Sequence, residues 1–409
     1  MGCRVSYVPL GELAEFESGG TPSKKIESYW HGSIPWISAK TLVGDTVYES
    51  DLTISKEGLE SGSKLAPKGS LLLLTRGSGL FKRIPLAIAE KQVAYNQDIK
   101  CINSNAKGIS NRYLFYALKA IEPAISAMLE TTGIGAGKLA TDRLKALPIP
   151  VLAEDARAKV TSIADCIYGK ISLNAQLNGY LDEYIDATLR NMLNQQEGAE
   201  VSLGDYLYIK GRIGWKGLKK SEYLSDSDYR IINGESLTMS GIDWNKAGYI
   251  SKERYDESPE IMLEVGDILL SKDGTIGKIG YVDELERPTT VASGIFVIRN
   301  LRKDVLSTHF VYYLLKSRLF KAFIASRTEG SVIPHLYQKD FVEFLFPLPP
   351  VDVMKKFDKL TGPMFQQTIV NAHENKRLAE LRDALLPKLM SDEIDVSKID
   401  LTHLNSHLV

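Results

Sequence analysis

The chain has 409 residues, of which 44% are hydrophobic and 25% are charged, and its formal net charge is −1. This composition is typical of a folded globular protein with two or three domains, and it excludes a disordered chain and a protein that binds nucleic acid through bulk positive charge. Three unclustered cysteines and apolar runs far shorter than ~20 residues argue against a disulfide framework, a zinc site and a membrane span, and favour a cytoplasmic protein.

The first block of the chain, residues 1–153, has the pattern of a β-rich α+β domain. Short apolar runs such as SLLLLT (70–75), set between glycine and proline turns, predict strands, and NRYLFYALKAIEPAISAML predicts a helix. LPIPV (147–151) stops both patterns, because proline neither continues a strand nor enters the middle of a helix. We therefore place the end of this domain at residue 153.

A long helix is predicted directly after this domain, over residues 154–197. Glu154 and Asp155 place negative charge in its first turn, where such charge stabilises a helix. Ile167 and Asn174 belong to a set of residues that recur every seven positions along it. Such a repeat predicts a seam that packs against another helix.

The second half of the chain repeats this order of elements. A β-rich α+β domain with strands such as GDILLS (266–271) is predicted over residues 198–350. PLPPV ends this domain, and a second long helix is predicted over residues 351–392. Residues 393–409 form a short tail.

The two halves are copies of one another. LNAQLNGYLDEYIDATLRNML (173–193) and VNAHENKRLAELRDALLPKLM (370–390) place Asn174 and Asn371 at equivalent positions, 197 residues apart (371 − 174 = 197). Four further pairs of segments match at this offset, with small slips for insertions. They are VPLGEL (8–13) with VSLGDY (201–206), KGSLLLLTRGSG (68–79) with VGDILLSKDGTI (265–276), ISNRYLFYALK (109–119) with LSTHFVYYLLK (306–316), and LPIPV (147–151) with FPLPPV (346–351).

Two tandem copies are most economically related by a pseudo-two-fold axis, as in a homodimer. This relation predicts two globular domains separated by two long antiparallel helices, which form a coiled-coil-like rod of about 60 Å. We expect Asn174 and Asn371 to face each other at mid-rod and to fix its register, while an arrangement with both exposed to solvent stays open. The predicted seam is Ile167, Asn174, Leu181, Met364, Asn371, Leu378 and Leu385, widened by Ile163, Leu177, Ile185, Leu360 and Leu381.

This ordered duplication, with a long helix after each copy, resembles the specificity subunit of type I restriction-modification enzymes. The resemblance covers essentially the whole chain and includes the LGEL and LGDY starts, the glycine turn after each GSLLLL or GDILLS strand, and the proline-rich exits. GSGLFKR, YNQDIKCI, GRIGWKGLKKSEY, SKDGTIGKIG and SGIFVIRN are similar to segments of the target recognition domains of that family.

The resemblance implies a chain that binds double-stranded DNA and is not itself an enzyme. Each target recognition domain would read one half of a bipartite, asymmetric sequence, while the helices would set the half-site spacing and dock two methyltransferase (modification) subunits. Partner subunits would carry the adenine-N6 methyltransferase and the ATP-dependent endonuclease, with S-adenosylmethionine, ATP and Mg. This chain would hold no cofactor and no metal.

Candidate DNA-contacting residues lie in three loops of each copy: after the first strand, after the glycine-turn strand and before the last strand. Asn and Gln can bond adenine bidentately, Arg and Lys can bond guanine, and hydroxyl groups serve bases or phosphates. The first copy offers Thr21, Ser23, Lys24, Arg76, Ser78, Lys82, Arg83, Asn96 and Gln97. The second copy offers Lys210, Arg212, Trp215, Lys216, Lys219, Lys220, Lys272, Asp273, Thr275, Lys278 and Ser293.

Some of these candidates have a second interpretation. Asn96 and Gln97 could stabilise a turn instead, and the repeat offset aligns Gln97 with Gly294. Trp215 could be a packed anchor rather than a base-stacking ring. The basic, glycine-rich segment around it leads us to expect that Lys216→Glu weakens the reading of one half-site only and reduces the salt dependence of binding.

Two other classes of function stay open from the sequence: a self-contained DNA methyltransferase or nuclease with degenerate motifs, and a duplicated scaffold that binds only protein. GIGAGKL (133–139) is a poor phosphate loop, because Thr132 and Leu139 stand where Gly and Ser or Thr are required. The sequence also lacks the Asn/Asp-Pro-Pro-aromatic tetrad that would hold a flipped adenine. Binding of S-adenosylmethionine or unaided cleavage of DNA would indicate the first class, and a lack of salt-dependent affinity for duplex DNA would indicate the second.

Overall fold

A computed structural model describes residues 5–133, 135–195, 200–213, 217–328, 335–396 and 399. The chain forms two compact units, one of Met1–Leu173 with Glu374–Val409 and the other of Asn174–His373. Each unit contains one globular copy together with part of both long helices. Because this division cuts through the helices, the domain limits given above stay predictions.

The first unit is rich in short strands, as its alternation of apolar runs and turns predicts. Its strands are β1 (Ser6–Pro9), β2 (Ala14–Ser18), β3 (Trp30–Ile37), β4 (Thr46–Val47), β5 (Thr53–Ile54), β6 (Lys64–Ala66), β7 (Leu71–Leu74), β8 (Arg76–Gly77), β9 (Leu86–Ala89), β10 (Val93–Tyr95), β11 (Ile99–Ser104), β12 (Glu130–Thr131), β13 (Gly137–Lys138) and β14 (Pro148–Val151). Its helices are α1 (Leu10–Leu13), α2 (Lys56–Gly62), α3 (Asn111–Ala120), α4 (Glu122–Ala127), α5 (Thr141–Lys145) and the long α6 (Glu154–Asn194), which continues into the second unit.

The largest sheet of the first unit has the strand order β2-β11-β7-β9-β4. All four residues of β7 are buried, which explains why its sequence is a run of leucines rather than an alternation. Helix α3 packs on this sheet and is capped by Ser110, whose Oγ accepts a 3.1 Å hydrogen bond from Tyr113 N. β1 pairs with β14, so the two ends of the copy are joined by strand pairing. The expectation that proline stops the strand pattern here is wrong, because β14 is the segment PIPV itself.

The second unit contains the other copy. Its strands are β15 (Glu200–Ser202), β16 (Leu207–Gly211), β17 (Tyr229–Ile232), β18 (Leu237–Thr238), β19 (Gly241–Ile242), β20 (Gly248–Ile250), β21 (Ile268–Ser271), β22 (Ile279–Tyr281), β23 (Thr289–Val291), β24 (Ile295–Asn300) and β25 (Leu345–Pro347). Its helices are α7 (Lys252–Asp256), α8 (Thr308–Lys316), α9 (Arg318–Thr328), α10 (Gln338–Glu343) and the long α11 (Val351–Met390).

The second unit repeats the core of the first. Its main sheet has the order β16-β24-β21-β22, in which β16, β24 and β21 correspond to β2, β11 and β7. β15 pairs with β25 as β1 pairs with β14. Ser307, one repeat offset after Ser110, caps α8 by accepting a 3.3 Å hydrogen bond from Phe310 N. The predicted tandem duplication is confirmed.

Helices α6 and α11 have 41 and 40 residues and run antiparallel where they meet within a unit. In the first unit, Lys170 Nζ lies 3.2 Å from Glu374 Oε2, whereas the earlier Lys159 donates to the later Ile399 O at 3.0 Å. These contacts confirm the predicted α+β fold with two long antiparallel helices. Among the described residues, no helix is both long enough and apolar enough to cross a bilayer.

The seam between the helices is narrower than the sequence indicates. Asn174 and Asn371 are both 2% exposed, so the arrangement in which they face solvent is wrong. The apolar seam positions are half-buried. The wider stripe is wrong at Leu177, Leu360 and Leu381, which are exposed. A single antiparallel contact buries only one narrow face of each helix.

The partner expected for Asn371 is also corrected. Its Nδ2 donates a 2.7 Å hydrogen bond to Asn178 Oδ1, one turn beyond Asn174, and Asn178 Nδ2 donates to Thr368 O at 2.9 Å. Side chains lean toward the N-terminus of their own helix, so antiparallel partners meet offset by about a turn. The other unit repeats the second contact at the 197-residue offset: Asn375 Nδ2 donates to Ile171 O at 3.1 Å.

Candidate nucleic-acid interface

Four loops of the first copy converge at one end of its main sheet. Gly20 N donates to Tyr95 O at 3.0 Å, which joins the loop after β2 to the end of β10. Thr75 N donates to Asp98 O at 2.7 Å, and Leu139 N donates to Thr75 O at 2.9 Å. The loops after β2, after β7, before β11 and after β13 therefore form one surface.

Two predicted residues from different loops touch on this surface. Thr21 Oγ1 donates a 2.6 Å hydrogen bond to Gln97 Oε1, and both side chains are exposed. This bond fixes the direction of the Gln97 amide, whose NH₂ group is the donor that adenine N7 requires. The Thr21 and Gln97 side chains are therefore held together on this surface.

Asn96 does not lie on this surface and instead stabilises a turn. It is buried, its Oδ1 accepts a 3.2 Å hydrogen bond from Asp98 N, and its backbone N donates to Ile37 O at 3.0 Å. An asparagine that bonds the backbone two residues ahead closes a turn. We therefore remove Asn96 from the DNA-contacting candidates.

Arg76 lies in a small sheet of order β12-β13-β8. Its cross-strand neighbour is Lys138, which lies in the segment GIGAGKL and is not among the residues predicted from the sequence. Arg76 is exposed and Lys138 is half-buried. The signal that could have identified Lys138 is the repeat, since the 197-residue offset pairs it with His335 of the second copy.

The other candidates of the first copy lie beside this surface. Arg83 Nη2 donates to Leu42 O at 3.1 Å, so part of its hydrogen-bonding capacity serves the fold. The turn that carries Ser78 packs against Gly137, where an added Cβ would lie 3.0 Å from Leu80 Cβ. The exposed candidates of these loops are Ser23, Lys24, Ser78 and Lys82.

The second copy builds the same framework. Lys272 N donates to Gly294 O at 2.9 Å, and Leu336 N donates to Lys272 O at 3.0 Å, as Thr75 does with its two neighbouring loops. The strand registers place Ile99 opposite Leu74 but Ile295 opposite Ser271, so the offset in this strand is 196 (295 − 99 = 196).

The structural counterpart of Gln97 is therefore Ser293, and the alignment of Gln97 with Gly294 is wrong. Ser293 is half-buried in the turn before β24. The one-residue slip follows from a loop of different length before that strand. Thr275 is exposed on the loop that follows β21, and its carbonyl oxygen accepts a 2.7 Å hydrogen bond from Ser271 Oγ.

Lys272 and Asp273 meet neighbours from other segments. Lys272 Nζ lies 5.0 Å from the centre of the Phe296 ring, in cation–π geometry. The Asp273 carboxylate pairs with His335 Nδ1, and the His335 ring lies 4.5 Å from that of Tyr337. Both partners stay partly exposed, so the pair can still meet a ligand.

Arg212 is a structural residue, and its assignment to the DNA-contacting loop is wrong. It is 1% exposed and donates from Nε to Val291 O at 3.0 Å and from its other nitrogens to Ser258 Oγ and Thr290 Oγ1. Burial, reinforced by the nearby Arg254, lowers the pKa of this guanidinium. The glycines around Arg212 indicated a loop, but this residue follows β16 directly and enters the core.

The strand register explains this burial. Gly211 pairs with Phe296 as Ser18 pairs with Lys100, which makes Arg212 the counterpart of Gly19. An added Cβ on Gly19 would lie 2.1 Å from Tyr95 O. The first copy therefore brings two backbones together where the second copy inserts a guanidinium.

The remaining lysines that were predicted to contact DNA in the second copy are dispersed. Lys278 Nζ donates to Gly234 O at 2.7 Å, and Lys210 lies over the Tyr208 ring. Lys219 and Lys220 are exposed beside a turn that Arg254 links to α7, with Arg254 Nε 3.0 Å from Glu222 Oε1. No described contact joins that turn to the Lys272 loop. Trp215 and Lys216 lie outside the described residues.

Comparison with known proteins identifies relatives that match most of the chain. The family model described as "Type I restriction modification DNA specificity domain" matches residues 4–178 and 197–379. The chain is 25% identical to the type I restriction enzyme MjaIX specificity subunit of Methanocaldococcus jannaschii over 95% of this chain and 93% of that protein. It is 32% identical to the EcoR124I/EcoR124II specificity subunit of Escherichia coli over 39% of this chain and 40% of that protein.

A solved structure has the same fold. The type I restriction-modification S subunit from M. genitalium aligns with a TM-score of 0.58 at 17% identity, over 95% of this chain and 96% of that chain. At this identity the likeness concerns the fold alone.

Proposed function

The chain belongs to the family of type I restriction-modification DNA specificity subunits, and we propose that each of its two recognition domains reads one half of a bipartite, asymmetric sequence in duplex DNA. The observation that carries this proposal is the repeated loop framework, in which Thr75 and Lys272 make equivalent backbone bonds while different side chains surround them. Two domains that share a backbone framework but carry different side chains are suited to reading two different half-sites.

Several exposed lysines take no part in the hydrogen bonds that join the loops, and they are suited to binding phosphate. Lys24 and Lys82 of the first copy, and Lys219 and Lys220 of the second, are exposed. Phosphate contacts orient a protein on the duplex and give affinity without sequence information. We assign these four lysines this role and assign base reading to the side chains near the sheet end.

Helices α6 and α11 suit a spacer between the two readers. Each is continuous, and the paired asparagines give the helix contact a defined register through Asn178 and Asn371. We propose that this register sets the distance between half-sites, which lie about 34–36 Å apart when they are one duplex turn apart.

An exposed apolar stripe on α6 suits the docking of methyltransferase subunits. Leu177, Tyr180 and Tyr184 follow one another at helical spacing and are 40%, 69% and 49% exposed. Leu381, the counterpart of Tyr184 on α11, is also exposed. Apolar side chains that share one helix face and stay in water mark a protein interface. Because the chain is duplicated, we propose one methyltransferase subunit for each copy.

We assign the chemistry to these partners. In this proposal the chain is not an enzyme: the methyltransferase subunits bind S-adenosylmethionine and methylate adenine N6, and restriction subunits with ATP and Mg translocate and cut DNA. The complex acts in the cytoplasm, where its DNA substrate lies. The alternatives of a self-contained enzyme and a protein-only scaffold stay part of the test.

The test is a tagged purification of the full chain from its native cell, followed by assays of methyl transfer and duplex binding at several salt concentrations. We expect a co-purified methyltransferase, adenine methylation that depends on this chain, and affinity that falls with salt. Unaided methylation or cleavage by the isolated chain would indicate a self-contained enzyme. A chain that binds proteins but not duplex DNA would be a scaffold.

A further inference from the structure

The two copies carry different chemistry at one equivalent pair of positions. Arg76 opposes Lys138 in the antiparallel pairing of β8 and β13, and Asp273 opposes His335 in an antiparallel bridge of the second copy. Both members are related by the same offset, since 273 − 76 and 335 − 138 each equal 197. This cross-strand pair is called the variable pair below.

The backbone holds the variable pair in the same way in both copies. Leu139 N donates to Thr75 O at 2.9 Å next to the first pair, and Leu336 N donates to Lys272 O at 3.0 Å next to the second. The first member of each pair, Arg76 or Asp273, comes just after the buried strand of its main sheet, β7 or β21. The position is thus fixed by the fold, whereas the side chains on it are free to differ.

In the first copy the pair places two positive charges side by side. Like charges directly opposite one another destabilise a pair of strands. Within the described part of the chain Arg76 has no ion pair and no side-chain hydrogen bond, and Glu130, on the far side of Lys138, lies 3.2 Å from Arg143 Nη1. Neither cation has an ion pair within the described part of the chain, which suits contact with an external group rich in acceptors.

In the second copy the same position carries an acid held by an imidazole. The Asp273 carboxylate pairs with His335 Nδ1 and stays 43% exposed at its side chain. One carboxylate oxygen is engaged by the imidazole, which leaves acceptor capacity on the other. The position therefore offers acceptors where the first copy offers donors.

We infer that the variable pair is a base-reading position in each recognition domain, with Arg76 and Lys138 directed to guanine and Asp273 directed to cytosine. Guanine presents the O6 and N7 acceptors to a cationic donor in the major groove, and cytosine presents its N4 amine to a carboxylate. His335 is a positioning residue that orients Asp273. The inference rests on the proposed function, because it assigns one base to each of the two DNA half-sites that the recognition domains would read.

The test uses the full chain in complex with its methyltransferase. The methylated motif of the wild-type complex is mapped first, and the rate of methylation is then compared for duplexes that carry each of the four bases at every specified position. We expect Arg76→Ala and Lys138→Ala to relax discrimination at one guanine of one half-site by about 10- to 100-fold. Asp273→Ala is expected to relax one cytosine of the other half-site by a similar factor.

A base analogue distinguishes a direct contact between the side chain and the base from an effect on the shape of the DNA. Replacing the assigned guanine by 7-deazaguanine removes the N7 acceptor, so it should slow the wild-type complex and have no further effect on Arg76→Ala. His335→Ala should relax the same cytosine as Asp273→Ala, and the double variant should behave like the single one. A purely structural role of His335 would lower the rate equally on all four bases.

Lys107 and Lys303 provide matched controls. Both are exposed lysines that follow the last strand of the main sheet, β11 or β24, at the end away from the variable pair. Lys107→Gln and Lys303→Gln should leave discrimination unchanged at every base. If the wild-type complex gives no bipartite motif, the proposed function fails. If the motif exists and the assembled variants discriminate as the wild type does, the base-reading inference alone is overturned.

Discussion

Burial divides the arginines of this chain by role. Arg212 lies in the core of the second copy with acceptors on Val291, Ser258 and Thr290, while Arg76 stands exposed beside Lys138. Both residues are basic and neighbour glycines in the sequence, so local composition alone cannot separate them. The separation depends on strand register. Gly211 pairs with Phe296, and the Arg212 that follows it reaches Val291 O with its guanidinium, whereas Arg76 pairs with Lys138 at the sheet end.

We expect Arg212→Ala to lower the free energy of unfolding by about 3 kcal/mol, because it leaves several buried acceptors without a donor. Urea denaturation of the full chain measures this change. Arg76→Ala is the matched control: removing one of two opposed cations should alter stability by less than about 0.5 kcal/mol. If Arg212→Ala folds normally and instead reduces the salt dependence of DNA binding, Arg212 is a phosphate contact after all.

His309 gives the second copy a dependence on pH. Its ring lies between those of Phe357 and Phe365, and this burial lowers its pKa below the ordinary 6.5, against the opposing effect of Asp358, 3.4 Å away. Below pH 6.5 the unfolded chain therefore takes up the proton before the folded chain does. Stability falls as the pH drops through this range.

We expect the free energy of unfolding to decline by up to about 1.4 kcal/mol per pH unit below pH ~6.5 through this residue. Urea denaturation at about pH 7.5 and about pH 5.5 measures the decline. His309→Gln, which cannot take up the proton, should make the curve flatter over that interval. An unchanged pH dependence in the variant would show that other groups cause the decline.

At the scale of elements, the long helices combine an apolar contact with a polar one. The buried Asn371 donates a hydrogen bond to the half-buried Asn178, beside the apolar positions of the seam. Buried amides cost stability when unpaired and thereby select one alignment of two helices. The equivalent contact of Asn375 with Ile171 O shows that the duplication preserved this device.

We expect Asn371→Leu to cost about 1–3 kcal/mol, because Asn178 loses its buried donor, and Asn178→Leu to cost a similar amount. The double variant should cost less than the two single ones together, since no buried amide is left alone. A double-mutant cycle in urea measures the coupling. Additive losses would mean that the two amides do not depend on each other.

The exposed stripe of α6 makes a separate prediction about assembly. Tyr180→Glu places a charge in the centre of the apolar face and should weaken methyltransferase binding by at least about 10-fold, while the isolated chain keeps its stability. Titration of the purified chain with the methyltransferase measures the change. Glu183→Gln, on an exposed neighbouring position, is the control. Equal affinity for Tyr180→Glu and wild type would place docking elsewhere.

At the scale of the molecule, the features visible in the sequence are those set by periodicity and repetition. The seven-residue repeat through Asn174 and Asn371 identifies both long helices, and the 197-residue offset identifies the two copies. These features depend on the chain's own pattern, so no knowledge of packing is required to find them.

Features that depend on packing could not be predicted from the sequence. The Asn371 side chain leans one turn toward Asn178, and Ser293 replaces Gly294 as the counterpart of Gln97 because one loop differs by a residue. Lys138 and His335 lie more than 60 positions from the residues they oppose (138 − 76 = 62), and only strand pairing brings them together.

The structure and the family together describe a duplicated reader in which one scaffold presents two sets of side chains. The most direct test maps every methylated adenine in cells that contain this chain with its methyltransferase and in cells that lack this chain. We expect a motif of two different specified parts separated by a fixed gap, present only with the chain. A continuous or palindromic motif, or methylation that persists without the chain, would contradict the account.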